Sequence, residues 1–282
     1  MPTSPTARRR RLGIELRRLR EAANLNGVEV TRPLGWSATK LSRIETGRVA
    51  VHHGDVGDLL DLYNVADESL RQHLITLARE SRQKGWWHRH RDTLKAGFDS
   101  YIGLESDASI IMTYQAQVVP GLLQTEAYAR AVIEATAIKQ VADRADEKVD
   151  VRLSRQQLLT HEAPVHLHAV LDEAVLRREV GGPAIMAEQL TFLVERAGLP
   201  NVTIQVLPFR AGAHSAMDGP FIILRFPDSA DPDIVYLEQA TSGLMLEDAG
   251  EIDWYTRTFS ALTARALSAD ESARLISRSI SS

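Results

Sequence analysis

Between residues 37 and 48 the run SATKLSRIETGR sets out hydroxyl and cationic side chains at helical spacing. Ser37 follows a sharp break at Leu34-Gly35-Trp36, so its hydroxyl is placed to accept from the free N–H groups of a first helical turn. From there Ala38, Thr39, Lys40 and Arg43 project to one side, while Leu41 and Ile44, three apart, point the other way into a core. The chemistry such a face can do is recognition, not bond-making. The Arg43 guanidinium suits the two acceptors on a guanine edge, and Ala38 or the Thr39 methyl suits a thymine methyl. Ser37, Lys40 and Arg48 suit phosphate oxygens that set register, as do Arg10 and Arg11 in the basic run at residues 8–11.

Reactive constellations are missing from the rest of the sequence. There is no GxSxG, no phosphate-binding glycine loop, no HExxH and no cysteine nucleophile. Asp172 and Glu173 are adjacent carboxylates, but neighbours on a helix diverge and cannot flank one substrate bond. His88 and His90 would share a face if the connector were a strand; with no Cys or carboxylate cluster beside them, a solvated basic connector is the expectation. The chain is therefore expected to be no enzyme, with no cofactor and no metal.

Charge is distributed unevenly along the 282 residues. Residues 1–95 carry 18 Lys+Arg against 11 Asp+Glu, a balance of +7, which leaves 15 against 26, or -11, for the remainder. A basic first part joined to an acidic second part is the layout expected when one domain meets phosphates and the other meets something else. The absence of cysteine suits a reducing compartment. No apolar run approaches membrane-spanning length, so the expectation is a cytoplasmic protein that contacts no membrane.

These side chains need a scaffold, and periodicity supplies one. Residues 1–10 are expected to form a disordered basic arm, followed by helices near 12–23, 28–34, 37–46, 55–64 and 68–84. Pro33 falls near the end of the second, where it removes one backbone hydrogen bond. Residues 85–100 read as a connector whose paired Trp86 and Trp87 cannot both face one core on a helix. Beyond residue 101 helices are expected at 125–135, 143–160, 173–180, 183–197, 247–267 and 270–280. Strands are expected at 165–171, 202–207, 221–226 and 234–237, with a polar hairpin-like connection at 228–233, and residues 109–115 suit either a strand or a buried helical turn. In VHLHAVL, His166 and His168 alternate with Leu167 and Ala169, which suggests a sheet with one wet or cavity-lining face. The fold class is thus an all-α N-terminal domain, residues 1–84, followed by an α+β domain, residues 101–282.

LGWS, the polar face behind it and RIETGR together resemble the helix-turn-helix of the lambda repressor/Cro (XRE-like) superfamily. That resemblance implies that the helix opened by Ser37 enters a DNA major groove. It also implies that Glu45 pairs with Arg20 of the first helix, a structural salt bridge that fixes the angle between helices. Gly27 stands where the superfamily often has a phosphate-contacting glutamine. One such module buries too little surface for tight binding, so a homodimer on two half-sites of double-stranded DNA is expected, its contacts coming mainly from the C-terminal domain.

VVPGLLQTEAYARAV, VRLSRQQLL, HAVLDEAVLRREVGGPAIMAEQL, NVTIQVLPFRAGAH, GPFIILRF and IVYLEQ spread over most of residues 100–275. Together they resemble the C-terminal domain of unknown function that follows a Cro-type helix-turn-helix in WhiJ-like regulators of filamentous, GC-rich soil bacteria. The resemblance implies a regulator of development or secondary metabolism, often beside a small acidic partner protein in an antitoxin-like arrangement. The C-terminal domain is expected to bind either such a partner or a small-molecule effector, with His166, His168, His214 and Glu238 as the polar groups that would face a cavity.

Overall fold

The computed structural model describes residues 4–136, 144–228 and 231–280, and the chain divides into two compact units, 1–88 and 89–282. The first unit is five helices. Ser4 caps α1 (Pro5–Ala22), its hydroxyl oxygen accepting from the Ala7 N–H at 3.2 Å, and Pro5 stands at the start of the helix, where a missing N–H costs nothing. The expected arm is therefore helical from Pro5 onward, and residues 1–3 lie outside the described residues.

A capping box opens α2 (Gly27–Leu34), with the Asn26 side chain accepting from the Glu29 N–H and the Glu29 carboxylate from the Asn26 N–H. Pro33 is tolerated because the helix closes one residue later: Gly35 adopts φ 62°, and the Trp36 N–H donates back to the Thr31 carbonyl at 2.9 Å. Helix α3 (Ala38–Glu45) follows, then α4 (His53–Leu62) and α5 (Glu68–Glu80). Leu12, Leu16, Val30, Leu41, Ile44, Leu59 and Leu74 close one core among them. The connector is a 3-10 helix, Trp86–Thr93, and not a strand, so His88 and His90 do not share a sheet face. Trp87 is buried and Trp86 exposed, the split that adjacent residues on a helix impose.

In the second unit the elements run α6 (Phe98–Glu105), β1 (Ile110–Gln115), α7 (Glu126–Thr136), α8 (Ala145–Arg155), β2 (His166–Asp172), α9 (Glu173–Arg177), α10 (Pro183–Ala197) and β3 (Val202–Leu207). Then come β4 (Phe221–Arg225), β5 (Ile234–Glu238), β6 (Gly243–Leu246), α11 (Ala249–Arg265) and α12 (Ala269–Ser279). The strands form one mixed sheet ordered β3-β2-β1-β4-β5-β6, parallel among the first three and antiparallel through the rest, so this unit is α+β. Helices α7 and α8 carry the chain from β1 to β2, and α9 and α10 from β2 to β3, the long crossovers that parallel neighbours require. The helix expected at 143–160 is α8 with a 3-10 turn behind it, Gln156–Leu159; residue 143, and residues 229–230 of the expected polar connection, lie outside the described residues.

The face that carries His166 and His168, expected to be wet or to line a cavity, is largely packed, although His166 itself is exposed. On one face Tyr114, Val170, Phe221, Ile223 and Val235 pack against Phe259 and Leu262 of α11. On the other, Tyr236 stacks on Tyr101 of α6, ring centroids 4.3 Å apart. The same face holds a buried ion pair: Arg155 of α8 donates to both Glu105 oxygens at 2.7 and 2.6 Å, and the Tyr101 hydroxyl donates to Glu105 at 2.6 Å. Burial alone would lower the Arg155 pKa, but the Glu105 charge and hydrogen bonds raise it overall, so the guanidinium stays charged.

Candidate nucleic-acid interface

The candidate site is the outward face of α3, and its geometry begins with what holds the helix from behind. Leu41 and Ile44 are each 3% exposed in the helical core. Gly13 of α1 lies so close that a Cβ there would stand 2.5 Å from the Ile44 carbonyl oxygen and 2.6 Å from that of Glu45. At the far end Gly47, with φ 65°, turns the chain over α1, and a Cβ there would meet the Arg10 Cα at 2.7 Å. The Arg48 N–H closes the turn by donating to the Arg43 carbonyl at 2.9 Å. Main chain therefore lies against main chain at both contacts. Arg20 adds a fork, donating to the two Glu45 oxygens at 2.6 and 3.0 Å and to the Leu25 carbonyl at 2.9 Å. The hydrogen bond to Glu45 raises the Arg20 pKa, against a smaller opposing effect of burial.

Facing away from this support, Ala38, Thr39, Ser42, Arg43, Thr46 and Arg48 are exposed. Arg43 and Arg48 make no ion pair with the described residues, so both guanidiniums are open to an outside anion or base edge. Ser37 serves as the N-cap, its oxygen accepting from the Lys40 N–H at 3.1 Å, which leaves its hydroxyl free to donate to an outside acceptor. Ser42 and Thr46 were not singled out from sequence, although positions three and four after Thr39 and Ser42 share its face.

Three of the expected phosphate contacts are not free surface cations in the structure. The Lys40 ammonium turns back, 3.0 Å from Asp55 of α4 and 3.6 Å from the centre of the Trp36 ring, so it braces the turn between α3 and α4. Arg10 is only 6% exposed, packed beneath Gly47 on α1 and unable to present its charge as part of a loose arm. Arg11, half-buried on the same helix, is no arm residue either.

The polar residues expected around a cavity in the second unit are not gathered in one place. His166 is exposed; His168 bonds Gln205 at 2.8 Å and stands edge-on to Phe259. His214 lies 3.3 Å from the Tyr114 hydroxyl and accepts from the Ala216 N–H. Glu238 is paired with Lys95 at 2.9 Å and lines a recess that includes none of the three histidines.

A rigidly backed helix that follows a left-handed glycine turn and offers exposed amide-free hydroxyl, methyl and guanidinium groups defines a helix-turn-helix of the DNA-binding regulators, and residues 11–74 match the model of a helix-turn-helix domain. The remainder of the chain fixes its family. Residues 98–278 match the family described as Domain of unknown function (DUF5753), and the chain belongs to that family. Comparison with curated proteins and with solved structures gives no match. Among the described residues no helix is long and apolar enough to cross a membrane.

Proposed function

We propose that this protein is a sequence-specific transcriptional regulator of the lambda repressor/Cro type that lays α3 in the major groove of double-stranded DNA. Arg43 reads a guanine, Ala38 and Thr39 meet thymine methyls, and Ser37 and Arg48 hold phosphates. The observation that carries the reading is the contrast across one helix: Leu41 and Ile44 are buried while Thr39 and Arg43 are exposed, on a segment clamped by Gly13 and Gly47. A single module of this size buries roughly 600–1,000 Å² on DNA, so the chain acts as a dimer on two half-sites one helical turn apart. The C-terminal unit is its sensing part, bound by an effector or a small partner protein, in the manner of WhiJ-like regulators of development and secondary metabolism. We assign the chain no catalytic step.

Selection of bound fragments from a random DNA pool should recover a palindrome. On that site Arg43→Ala should cost about 1–3 kcal/mol and relax preference at one base pair. A gel-shift titration in which Arg43→Ala binds as well as the parent would remove α3 from the groove.

A further inference from the structure

The second unit carries a recess that the regulator reading does not use. It lies between the turn before β4, the end of β5 and the start of α11, with an accessible volume of about 80 Å³. Its walls are aromatic. Trp254 and Tyr255 stand nearly perpendicular, centroids 4.8 Å apart at 82°, and Tyr255 leans on Phe221 at 5.0 Å and 57°. Trp254 is 49% exposed, an unusual setting for the largest apolar side chain unless its face has something to meet.

The rim is acidic. Asp218 and Glu238 line it, and Glu251 lies one turn before Tyr255 on α11. Lys95 pairs with Glu238, but Asp218 and Glu251 make no ion pair with the described residues. Burial first, then the charges of Asp218 and Glu251, push the Tyr255 phenol up, so both carboxylates act on the recess wall. The rings lining the recess carry negative quadrupole density on their faces, and the Asp218 and Glu251 carboxylates, without an ion pair among the described residues, add to it. Among the described residues no cationic side chain lines the recess, and its side-chain donors include the Gln239 amide and the Thr258 hydroxyl, so its field favours a weakly hydrated cation over an anion.

We propose that the recess bounded by Asp218, Phe221, Glu238, Trp254 and Tyr255 binds the head group of a small alkylated ammonium compound, the cation resting on the Trp254 and Tyr255 faces with Asp218 as counter-charge. The volume admits a head of a few heavy atoms and excludes a bulky ring system. This inference rests on the reading of the C-terminal unit as the sensing part only for its regulatory consequence; occupancy is measured on its own.

The probe is choline, titrated calorimetrically into the full chain beside its uncharged isostere, in which carbon replaces nitrogen. Choline should bind saturably with a dissociation constant in the range of about 0.1–10 mM, at least about tenfold more tightly than the isostere. Trp254→Ala should weaken choline binding about tenfold or more, Trp254→Phe less, and Asp218→Asn several-fold, with the isostere hardly affected. Equal binding of the two probes, no saturable binding of choline, or unchanged binding in Trp254→Ala would each overturn the proposal. Because Trp254 is half-exposed, its variants are expected to keep the parent's circular dichroism, and Asp218→Asn supplies an independent test. A gel shift on the selected DNA separates the two readings. Choline binding without any change in DNA affinity would leave the recess and remove its effector role, and intact DNA binding without choline binding would leave the regulator reading and remove the recess.

Discussion

The two units each contain an arginine clamped by a glutamate, and they use it differently. In the first, Arg20 and Glu45 are 14% and 9% exposed and sit where α1 meets the end of α3. In the second, Arg155 and Glu105 are 7% and 0% exposed, roofed by Phe98 and Tyr101. The first pair keeps water nearby and fixes an angle; the second has no water to fall back on and is tied into a stack of aromatic rings. The contrast extends to whole surfaces. The helical unit turns its informative polar groups outward, while the α+β unit turns many of its own inward. Gln124, for example, donates to the Val119 carbonyl at 2.6 Å and accepts from Arg152 at 2.6 Å, and Gln189 bridges the Thr125 N–H and the Leu123 carbonyl. Arg152 is accordingly held down, its pKa pushed to about 10 by burial and then by Arg155. Polar residues thus face outward on α3 in one unit and hold the interior together in the other.

The sharpest test of that contrast is Glu105→Gln, which strands a buried guanidinium and should destabilise the second unit by about 3–5 kcal/mol in urea unfolding. Pairing it with Arg155→Met should restore much of the loss; a cost below about 1 kcal/mol for Glu105→Gln alone would erase the distinction between the two ion pairs. Next in size is Gly13→Ala, expected to cost about 1–3 kcal/mol because its methyl meets carbonyl oxygens that cannot rotate away. Its DNA affinity should fall even at temperatures where the fold persists, and full affinity would show that the pose of α3 does not depend on that contact.

Alkaline titration should also test the buried tyrosines of the second unit. Burial, then Asp172, pushes the Tyr114 phenol up to about 12 from an ordinary 10.0. Its folded-state pKa is raised, so the associated stability is whole below pH 10 and is lost as pH climbs through 12. Tyr101, Tyr128 and Tyr236 are shifted the same way, chiefly by burial, and so is Tyr63 in the helical unit. Tyrosinate absorbance followed together with circular dichroism should show the sheet signal failing with ionisation in that window. Smallest of all is Thr39→Ala, exposed on α3, which should change stability by less than about 0.5 kcal/mol while altering base preference. A loss of several times that in thermal unfolding would mean that Thr39 belongs to the scaffold.

Local signals in the sequence were good guides wherever the chain's immediate neighbours decide the outcome. The Ser37 cap, the Gly47 turn and the inward pair Leu41 and Ile44 all follow from spacing within a few residues. Ser4-Pro5 was just as local, a cap with proline behind it, but the arginine run after it reads as a charged arm and hides the helix start. Helix α6 escaped because Tyr101, Ile102, Gly103, Leu104 and Glu105 are all buried, leaving no polar stripe to give a period. Strand β6 escaped because four residues beginning with glycine at a sheet edge carry almost no pattern. Lys40 and the histidines of β2 depended on partners far along the chain: Asp55 for the one, Gln205 and α11 for His168. Alternating histidines read as a wet strand face, which holds at exposed His166, whereas α11 roofs His168.

The glycine contacts between α1 and α3 also bear on how such a protein changes over generations. A joint in which one peptide backbone rests directly on another has no rotamers to repack, so it cannot absorb a mutation by a small tilt. Drift toward new DNA targets is therefore channelled into exchange of the outward groups on α3, each swapped like type in a fixed forme, while the pose that presents them is inherited unchanged.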